Sequence, residues 1–380
     1  MINVFLLIPD LASGPEATAA RLLALQSNRQ RFSISIGVLG STNGPVADEL
    51  RAADVPVYSV PIRHSLDLKG VRQLRRAIRE SAPTILHIFG PDTARAARLV
   101  VDTQGESGNV PKLVVSAATC PTGGLGGWFA ARLIRRADRV IPMTWADGER
   151  YRGLGVPAER LTRICPAPLD VAVEANREAT LKLMNMPASA RFIVTDGELE
   201  RGSGPKDAIV AFDMLRYEAS DLHLAVFGAR SGTSTLEQFG RALAFDDFRV
   251  RFPDPGDDRF RAEFPLTSVD RAVAVRQATA VWVTAPHGGT DEVLEAMAAG
   301  KPVVAWATPD LTEIIDDGVT GFLVPVGDKA MLAAKTRLLL DDKELVAWMG
   351  KGARTRVMER FPVGRMIEQF GRVYTELAES

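Results

Sequence analysis

Short runs of Val, Ile, Leu and Phe, each bounded by Gly, Pro or Asp, alternate along the chain with longer segments whose apolar residues recur every three or four positions. The short runs predict buried parallel strands, and the longer segments predict amphipathic helices. The strands predicted in the first half are Val4–Ile8, Ile34–Val38, Val57–Val60, Thr84–Phe89, Lys112–Ala117, Arg139–Met143 and Leu161–Ile164. Those predicted in the second half are Phe192–Asp196, His223–Gly228, Arg249–Phe252, Ala280–Thr284, Val303–Trp306 and Gly321–Val324. The clearest helical segments are Ala17–Gln26, Lys69–Glu80 and Asp291–Ala299.

This alternation predicts an α/β fold with two tandem Rossmann-like domains, each a doubly wound parallel sheet. The length of 380 residues also favours two domains. Pro166 and Pro168 interrupt both periodicities, so we expect one domain over residues 1–168 and a second over residues 169–360. Ligands bind beyond the carboxyl ends of parallel strands, so two such domains that face each other would place a site in the cleft between them.

Composition narrows the class of protein by exclusion. Hydrophobic residues make up 46% of the chain and charged residues 24%, which is typical of a globular protein and excludes fibrous and disordered classes. The first apolar run, Ile2–Ile8, has no basic residues before it, so it predicts a strand and not a signal peptide. Cys120 and Cys165 form no C-x-x-C pair, and the four histidines form no H-E-x-x-H motif. We therefore expect a cytoplasmic protein without a disulfide framework or a clustered zinc site.

The net charge of −1 is the balance of two unequal halves. Residues 1–170 hold 21 Lys and Arg against 15 Asp and Glu, whereas residues 171–380 hold 25 against 32. The first half is therefore basic and the second acidic. This overall balance gives no support to nucleic-acid binding.

The most informative stretch, residues 284–328, reads TAPHGGTDEVLEAMAAGKPVVAWATPDLTEIIDDGVTGFLVPVGD. In its segments Leu294–Gly300, Pro302–Ala305, Glu313–Gly321 and Leu323–Asp328, it resembles the retaining, family-four (group 1) glycosyltransferases. Weaker similarity to the same family extends over Ile8–Glu16, Arg136–Asp170 and Asp196–Phe212. The resemblance implies the GT-B fold, with a terminal helix in residues 361–380 that packs back on the N-terminal domain.

The segment His287–Thr290 opens onto the predicted helix that contains Leu294. A helix N-terminus has unpaired N–H groups that can bind a diphosphate, and Gly288 and Gly289 would let a ligand approach the backbone. The alternative is a tight turn that simply needs two glycines. In the family that the sequence resembles, Glu295 would accept hydrogen bonds from the ribose hydroxyls of the donor. The family carries a second glutamate that contacts the donor sugar, and His287 stands in its place.

The family also neutralises the leaving diphosphate with an arginine and a lysine. A gapless alignment puts Glu198 and Ser203 in these two positions, but Arg201 and Lys206 have the same separation of five residues. A shifted loop would return two cations to the diphosphate and add the N–H of Ser203. The alternative is a loop that faces solvent. Gly14, in the first loop of the resemblance, completes the candidate donor-binding residues.

Other departures from the family pattern bear on the chemistry. Ala118 stands where the family has a histidine, and Pro15 replaces a glycine whose N–H could reach the ligand. Asp291 and Glu292 place negative charge in the first turn of the supposed phosphate-binding helix, which stabilises the helix but repels a diphosphate. No D-x-D follows a predicted strand, so the sequence gives no support to a metal-dependent mechanism.

The stretch Trp128–Arg136 is aromatic and basic, and it has two interpretations. It could contact an anionic membrane surface through the N-terminal domain, at the inner face of the membrane. The alternative is a buried helix with an arginine edge in solvent.

Taken together, the resemblance implies a metal-independent retaining glycosyltransferase without a cofactor, whose co-substrate is a nucleoside-diphosphate sugar. Its acceptor would be a glycan, a lipid or a small molecule. The alternative is a non-catalytic nucleotide-sugar-binding or scaffolding protein on the same fold.

Overall fold

The structure of the chain is a computed structural model. The residues that it describes are 1–11, 15–40, 42, 45–62, 67–90, 93–97, 110–116, 124–168, 176–196, 204–228, 233–244, 249–253 and 271–380. The chain divides into two compact units. Unit 1 comprises Met1–Ala167 and Phe361–Ser380, and unit 2 comprises Pro168–Arg360.

Unit 1 is built on a parallel sheet of six strands in the order β3-β2-β1-β4-β5-β6. Its strands are β1 (Ile2–Ile8), β2 (Phe32–Val38), β3 (Val57–Ser59), β4 (Ile85–Phe89), β5 (Lys112–Ser116) and β6 (Arg139–Ile141). Its first helices are α1 (Pro15–Gln26), α2 (Pro45–Ala52), α3 (Leu68–Ser81), α4 (Gly124–Arg136) and α5 (Trp145–Gly153). The buried side chains of β1, β4 and β5 pack with those of α3 and α4 in one core.

Unit 2 repeats this architecture with a parallel sheet in the order β12-β11-β10-β7-β8-β9. Its strands are β7 (Arg191–Asp196), β8 (Leu222–Phe227), β9 (Val250–Arg251), β10 (Ala280–Val283), β11 (Val303–Trp306) and β12 (Gly321–Val324). Its helices are α6 (Arg177–Leu183), α7 (Gly204–Arg216), α8 (Thr233–Ala244), α9 (Arg271–Gln277), α10 (Thr290–Ala298), α11 (Lys329–Asp341) and α12 (Lys343–Arg360). Trp282 and Trp306 are buried in its core. The predicted fold class, two Rossmann-like parallel sheets with alternating helices, is confirmed.

The last helix, α13 (Val363–Glu379), packs on β1, β4 and α1 of unit 1. Buried hydrogen bonds hold it there. The His87 imidazole on β4 lies 2.6 Å from the Tyr374 hydroxyl on α13 and 2.8 Å from the Ser116 hydroxyl on β5. Burial lowers the pKa of His87 to about 3, so the ring is neutral and serves as a structural hydrogen-bonding group.

One predicted strand, Leu161–Ile164, is wrong. Only an isolated bridge forms there, between Val140 and Leu161, although Thr162 and Ile164 donate backbone hydrogen bonds to β6 and to Pro142. Pro142 has no N–H, so it cannot supply the next donor that would extend the ladder. The other predicted strands form; Val303–Trp306 and Gly321–Val324 have the predicted ends, and the ends of the rest differ by at most two residues.

The stretch Trp128–Arg136 lies in α4, which buries one face in the core of unit 1. Leu133 and Ile134 are buried, whereas Arg132, Arg135 and Arg136 are exposed. The interpretation as a buried helix with an arginine edge therefore describes α4. Among the described residues, no helix combines the length and the apolar character that crossing a membrane requires.

Candidate active site

The strand order of the unit 2 sheet indicates where a ligand would bind. The chain runs from β7 outward to β8 and β9, and then returns to place β10 on the other side of β7. The strand order thus reverses between β7 and β10, which is where open parallel sheets form a ligand crevice at their carboxyl ends. Asp196 ends β7, and the loop after β10 leads into α10. The predicted donor residues His287–Thr290 and Glu295 lie in this loop and helix.

The turn into α10 depends on two glycines with left-handed backbones. Gly288 has φ 77° and Gly289 has φ 85°. A Cβ atom on Gly289 would lie 2.6 Å from the Val283 Cγ1 atom, so this position has a steric as well as a conformational need for glycine. The expectation of a tight turn that needs glycine therefore describes the geometry here.

The first turn of α10 has polar groups without partners. Gly289 is the N-cap residue, and no side chain caps the helix there. Thr290 is 3% exposed, and its hydroxyl has no hydrogen-bond partner among the described residues. A buried hydroxyl without a partner is unfavourable, and a ligand that hydrogen-bonds to it would remove that cost.

Glu295, in the second turn of α10, is held by an ion pair. Arg271, the first residue of α9, pairs with the Glu295 carboxylate through Nη1 and with the Asp196 carboxylate through Nε and Nη2. The side chains of Arg271, Asp196 and Glu295 are 21%, 19% and 24% exposed, so the cluster reaches solvent while most of it is covered. Neither Arg271 nor Asp196 was predicted from the sequence as a site residue.

Two carboxyl groups at this edge, those of Glu292 and Asp196, have raised pKa values. Burial raises the pKa of Glu292 well above its usual range, and the neighbouring Asp291 raises it further. Burial also raises the pKa of Asp196, although Arg271 opposes the effect. Burial lowers the pKa of Arg271, but the surrounding carboxylates outweigh it, so the guanidinium remains charged. The raised pKa of Glu292 disfavours its charged form, which is the form that would repel a diphosphate.

His287 and Lys206 do not belong to the cluster of Arg271, Asp196 and Glu295. His287 is exposed, just before the two glycines. Lys206, near the start of α7, is exposed as well, and its ammonium lies 5.7 Å from the centre of the Phe239 ring. Arg201, Ser203 and Gly14 lie outside the described residues, and so does Ala118. Their predicted roles, like those of His287 and Lys206, stay predictions.

The departure at Pro15 has a structural explanation. Pro15 begins α1, and the first position of a helix tolerates proline because its N–H would have no partner inside the helix. Within the described ranges, no group of three or more His, Cys, Asp or Glu side chains is arranged to hold a metal ion.

Comparison with known families covers both units. Residues 13–167 match the model of the glycosyl transferase 4-like domain, and residues 287–356 match the model of the glycosyl transferases group 1. The second match begins at His287 and contains the start of α10 and Glu295. The resemblance of the chain to the group 1 glycosyltransferases is confirmed.

Relatives and solved structures agree with this resemblance. The chain is 24% identical over 361 residues to EpsD of Bacillus subtilis (strain 168), itself named as a glycosyltransferase, over 90% of this chain and 89% of EpsD. It is 27% identical over 246 residues to the D-inositol 3-phosphate glycosyltransferase of Thermobispora bispora, over 64% of this chain and 57% of that enzyme.

The fold of this chain is shared by Anabaena HepE, solved in complex with UDP and glucose, with a TM-score of 0.78 and 17% identity over 99% of this chain and 100% of HepE. Sucrose-phosphate synthase from Thermosynechococcus elongatus gives a TM-score of 0.72 and 16% identity over the full length of both chains. At these identities the likeness establishes the fold, and the GT-B architecture implied by the sequence is confirmed.

Proposed function

We propose that this protein transfers a sugar from a nucleoside-diphosphate sugar to an acceptor, with retention of configuration and without a metal ion. The observation that carries the proposal is the position of Glu295. By the resemblance of its motif this carboxylate would hold the ribose; it lies within the range matched by the group 1 model, at the edge where the strand order of unit 2 reverses. HepE, which shares the fold, has been solved with UDP-glucose, and this supports a nucleotide sugar as the donor.

Each donor group would have a partner at this edge. Glu295 would accept hydrogen bonds from the ribose hydroxyls, which is a charge-assisted contact. The backbone N–H groups at the start of α10 and the Thr290 hydroxyl would bind the diphosphate as negative charge develops on it. His287 is exposed beside this turn and would contact the donor sugar.

Two cations would complete the diphosphate site. Arg201 and Lys206 are the candidates, with Ser203 as an additional donor. In the structure the Lys206 ammonium lies over Phe239, a weak contact that the much stronger attraction of a diphosphate would replace. The burial that raises the pKa of Glu292 supports the proposal, because it disfavours a negative charge in the first turn of α10.

The direct test is turnover of nucleotide sugars. The purified protein is incubated with glucose, galactose and N-acetylglucosamine donors of uridine, guanosine and adenosine diphosphate, with and without a chelator, and release of nucleoside diphosphate is measured. We expect release from one donor class, unaffected by the chelator, and loss of at least tenfold in Glu295→Ala. The proton coupling at the anomeric carbon of the product would show retention.

A non-catalytic binding protein is the second candidate, favoured by His287 at the place of a family carboxylate. The variants His287→Ala and His287→Glu distinguish the two. In an active transferase, His287→Ala lowers turnover and leaves nucleotide affinity nearly unchanged, and His287→Glu changes the donor preference. A protein that binds a nucleoside diphosphate but turns over no donor, with both variants equally inert, would be a binding protein.

The acceptor is proposed only as a class, a glycan, a lipid or a small molecule. The exposed edge of α4 is the candidate for a membrane contact at the inner face of the membrane, because Trp128 is 52% exposed and the Arg132 guanidinium lies 6.0 Å from its ring centre. Sedimentation with anionic vesicles, compared between the wild type and a Trp128→Ala, Arg132→Ala double variant, tests this contact.

A further inference from the structure

Arg271 joins two carboxylates that come from different elements of unit 2. Asp196 ends β7, and Glu295 lies in the second turn of α10, which follows β10. Because β7 and β10 are adjacent in the sheet, both carboxylates lie at the edge where the strand order reverses. Arg271 begins α9, and it pairs with both of them.

The guanidinium group suits this position because it is planar and presents several N–H donors in fixed directions. Its Nε and Nη2 atoms face Asp196, and its Nη1 atom faces Glu295. A lysine has a single ammonium group on a flexible stem, and it cannot hold two carboxylates in the same fixed geometry. The bridge therefore fixes the Glu295 side chain relative to the end of β7.

A free glutamate side chain loses roughly 1 to 2 kcal/mol of rotamer entropy when a ligand orders it. The ion pair with Arg271 imposes that order before any ligand binds. Arg271 contacts the Oε2 atom of Glu295, and the Glu295 side chain remains 24% exposed, so its carboxylate is both oriented and open to solvent.

We propose that Arg271 is a positioning residue that orients the Glu295 carboxylate toward the ribose hydroxyls, so that the protein discriminates ribonucleotides from 2′-deoxyribonucleotides. The inference rests on the proposed function, in which Glu295 accepts hydrogen bonds from the ribose. It assigns to this chain a determinant of sugar recognition that lies outside both residue ranges matched by the family models.

Calorimetric titration tests the inference with UDP, GDP and ADP, each against its 2′-deoxy counterpart. The measured quantity is the ratio of the two dissociation constants for the nucleotide that binds. A hydrogen bond from a hydroxyl to a carboxylate corresponds to a ratio of roughly ten or more in the wild type. We expect Glu295→Gln and Arg271→Lys each to lower this ratio several-fold. Asp196→Asn should lower it less, because the pair between Arg271 and Glu295 remains.

Arg191→Lys is the matched control. Arg191 begins β7, at the opposite edge of the sheet, and holds Asp221 through two bonds of 2.7 and 2.9 Å. It should lose stability by an amount similar to Arg271→Lys and leave the nucleotide ratio unchanged. If Arg271→Lys does not fold, Asp196→Asn and the control carry the comparison.

The outcomes separate this inference from the proposed function. If the ratio falls in Glu295→Gln but stays at the wild-type value in Arg271→Lys and Asp196→Asn, the role of Arg271 is refuted and the role of Glu295 stands. If Arg271→Lys binds the ribonucleotide more tightly, Arg271 competes with the ribose and the inference is also refuted. If Glu295→Gln leaves the ratio unchanged, or no nucleotide binds, the proposed function itself fails.

Discussion

The variant Gly289→Ala tests the start of α10, where the site and the fold have the same requirement. Alanine at φ 85° occupies the left-handed region, which costs roughly 1 to 2 kcal/mol for a residue with a Cβ atom. The new Cβ would also lie 2.6 Å from the buried Val283 Cγ1 atom, and overpacking of this kind typically costs about 1 to 3 kcal/mol. We therefore expect unit 2 to lose about 2 to 5 kcal/mol of unfolding free energy.

Gly318→Ala is the matched control, because Gly318 has a similar φ of 75° and a Cβ there would meet no atom within 4 Å. It should show only the backbone cost of roughly 1 to 2 kcal/mol. Urea unfolding followed by the fluorescence of the buried Trp282 and Trp306 reports on unit 2. Binding of a nucleoside diphosphate should fall in Gly289→Ala and not in Gly318→Ala. Equal losses of stability in the two variants would refute the close approach at Gly289.

Three further predictions concern single polar groups. Because burial raises the pKa of Glu292, the folded protein holds a proton that the unfolded chain releases above about pH 4.3. The contribution of Glu292 to the unfolding free energy should therefore fall by about 1.4 kcal/mol per pH unit above that pH, until the pKa of Glu292 in the folded protein is reached. Urea titrations at several pH values measure this dependence, and Glu292→Gln should remove it. Thr290→Val removes a buried hydroxyl that has no hydrogen-bond partner among the described residues, so unit 2 should gain about 1 kcal/mol of unfolding free energy in urea titrations. The same variant should bind a nucleoside diphosphate more weakly in calorimetry. A loss of stability would contradict the absence of a partner. Tyr374→Phe leaves the buried His87 ring with one partner fewer and should destabilise unit 1 by about 1 to 3 kcal/mol in thermal unfolding, so an unchanged midpoint would contradict the packing of α13.

The sheets were predictable because buried parallel strands are short apolar runs, and most such runs in this chain form strands. The strand ends were less predictable, since they depend on which neighbour supplies the next hydrogen bond. At Leu161–Ile164 the apolar pattern is that of a strand, but Pro142 on the neighbouring segment has no N–H to extend the ladder. Whether a segment forms a strand depends on the neighbour with which it pairs, and the apolar pattern of the segment alone carries no information about that neighbour.

In the candidate site, too, some residues were predictable from the sequence and others were not. Glu295 and the glycines of the turn were predictable, because they lie in one continuous motif. Arg271 was not, because its partners Asp196 and Glu295 are 75 and 24 residues away in the sequence and meet only through the order of the strands. Formal charges also describe Glu292 as an anion, whereas burial raises its pKa, and burial is a property of the fold.

A crystal structure of the protein with UDP, grown in the presence of a chelator, tests the central claim most directly. We expect at least one ribose hydroxyl within about 3 Å of a Glu295 carboxylate oxygen. We also expect diphosphate oxygens within about 3 Å of the backbone nitrogens in the first turn of α10. A nucleotide bound away from the carboxyl ends of β7 and β10, or a ribose that makes no contact with Glu295, would contradict the assignment of this edge as the donor site.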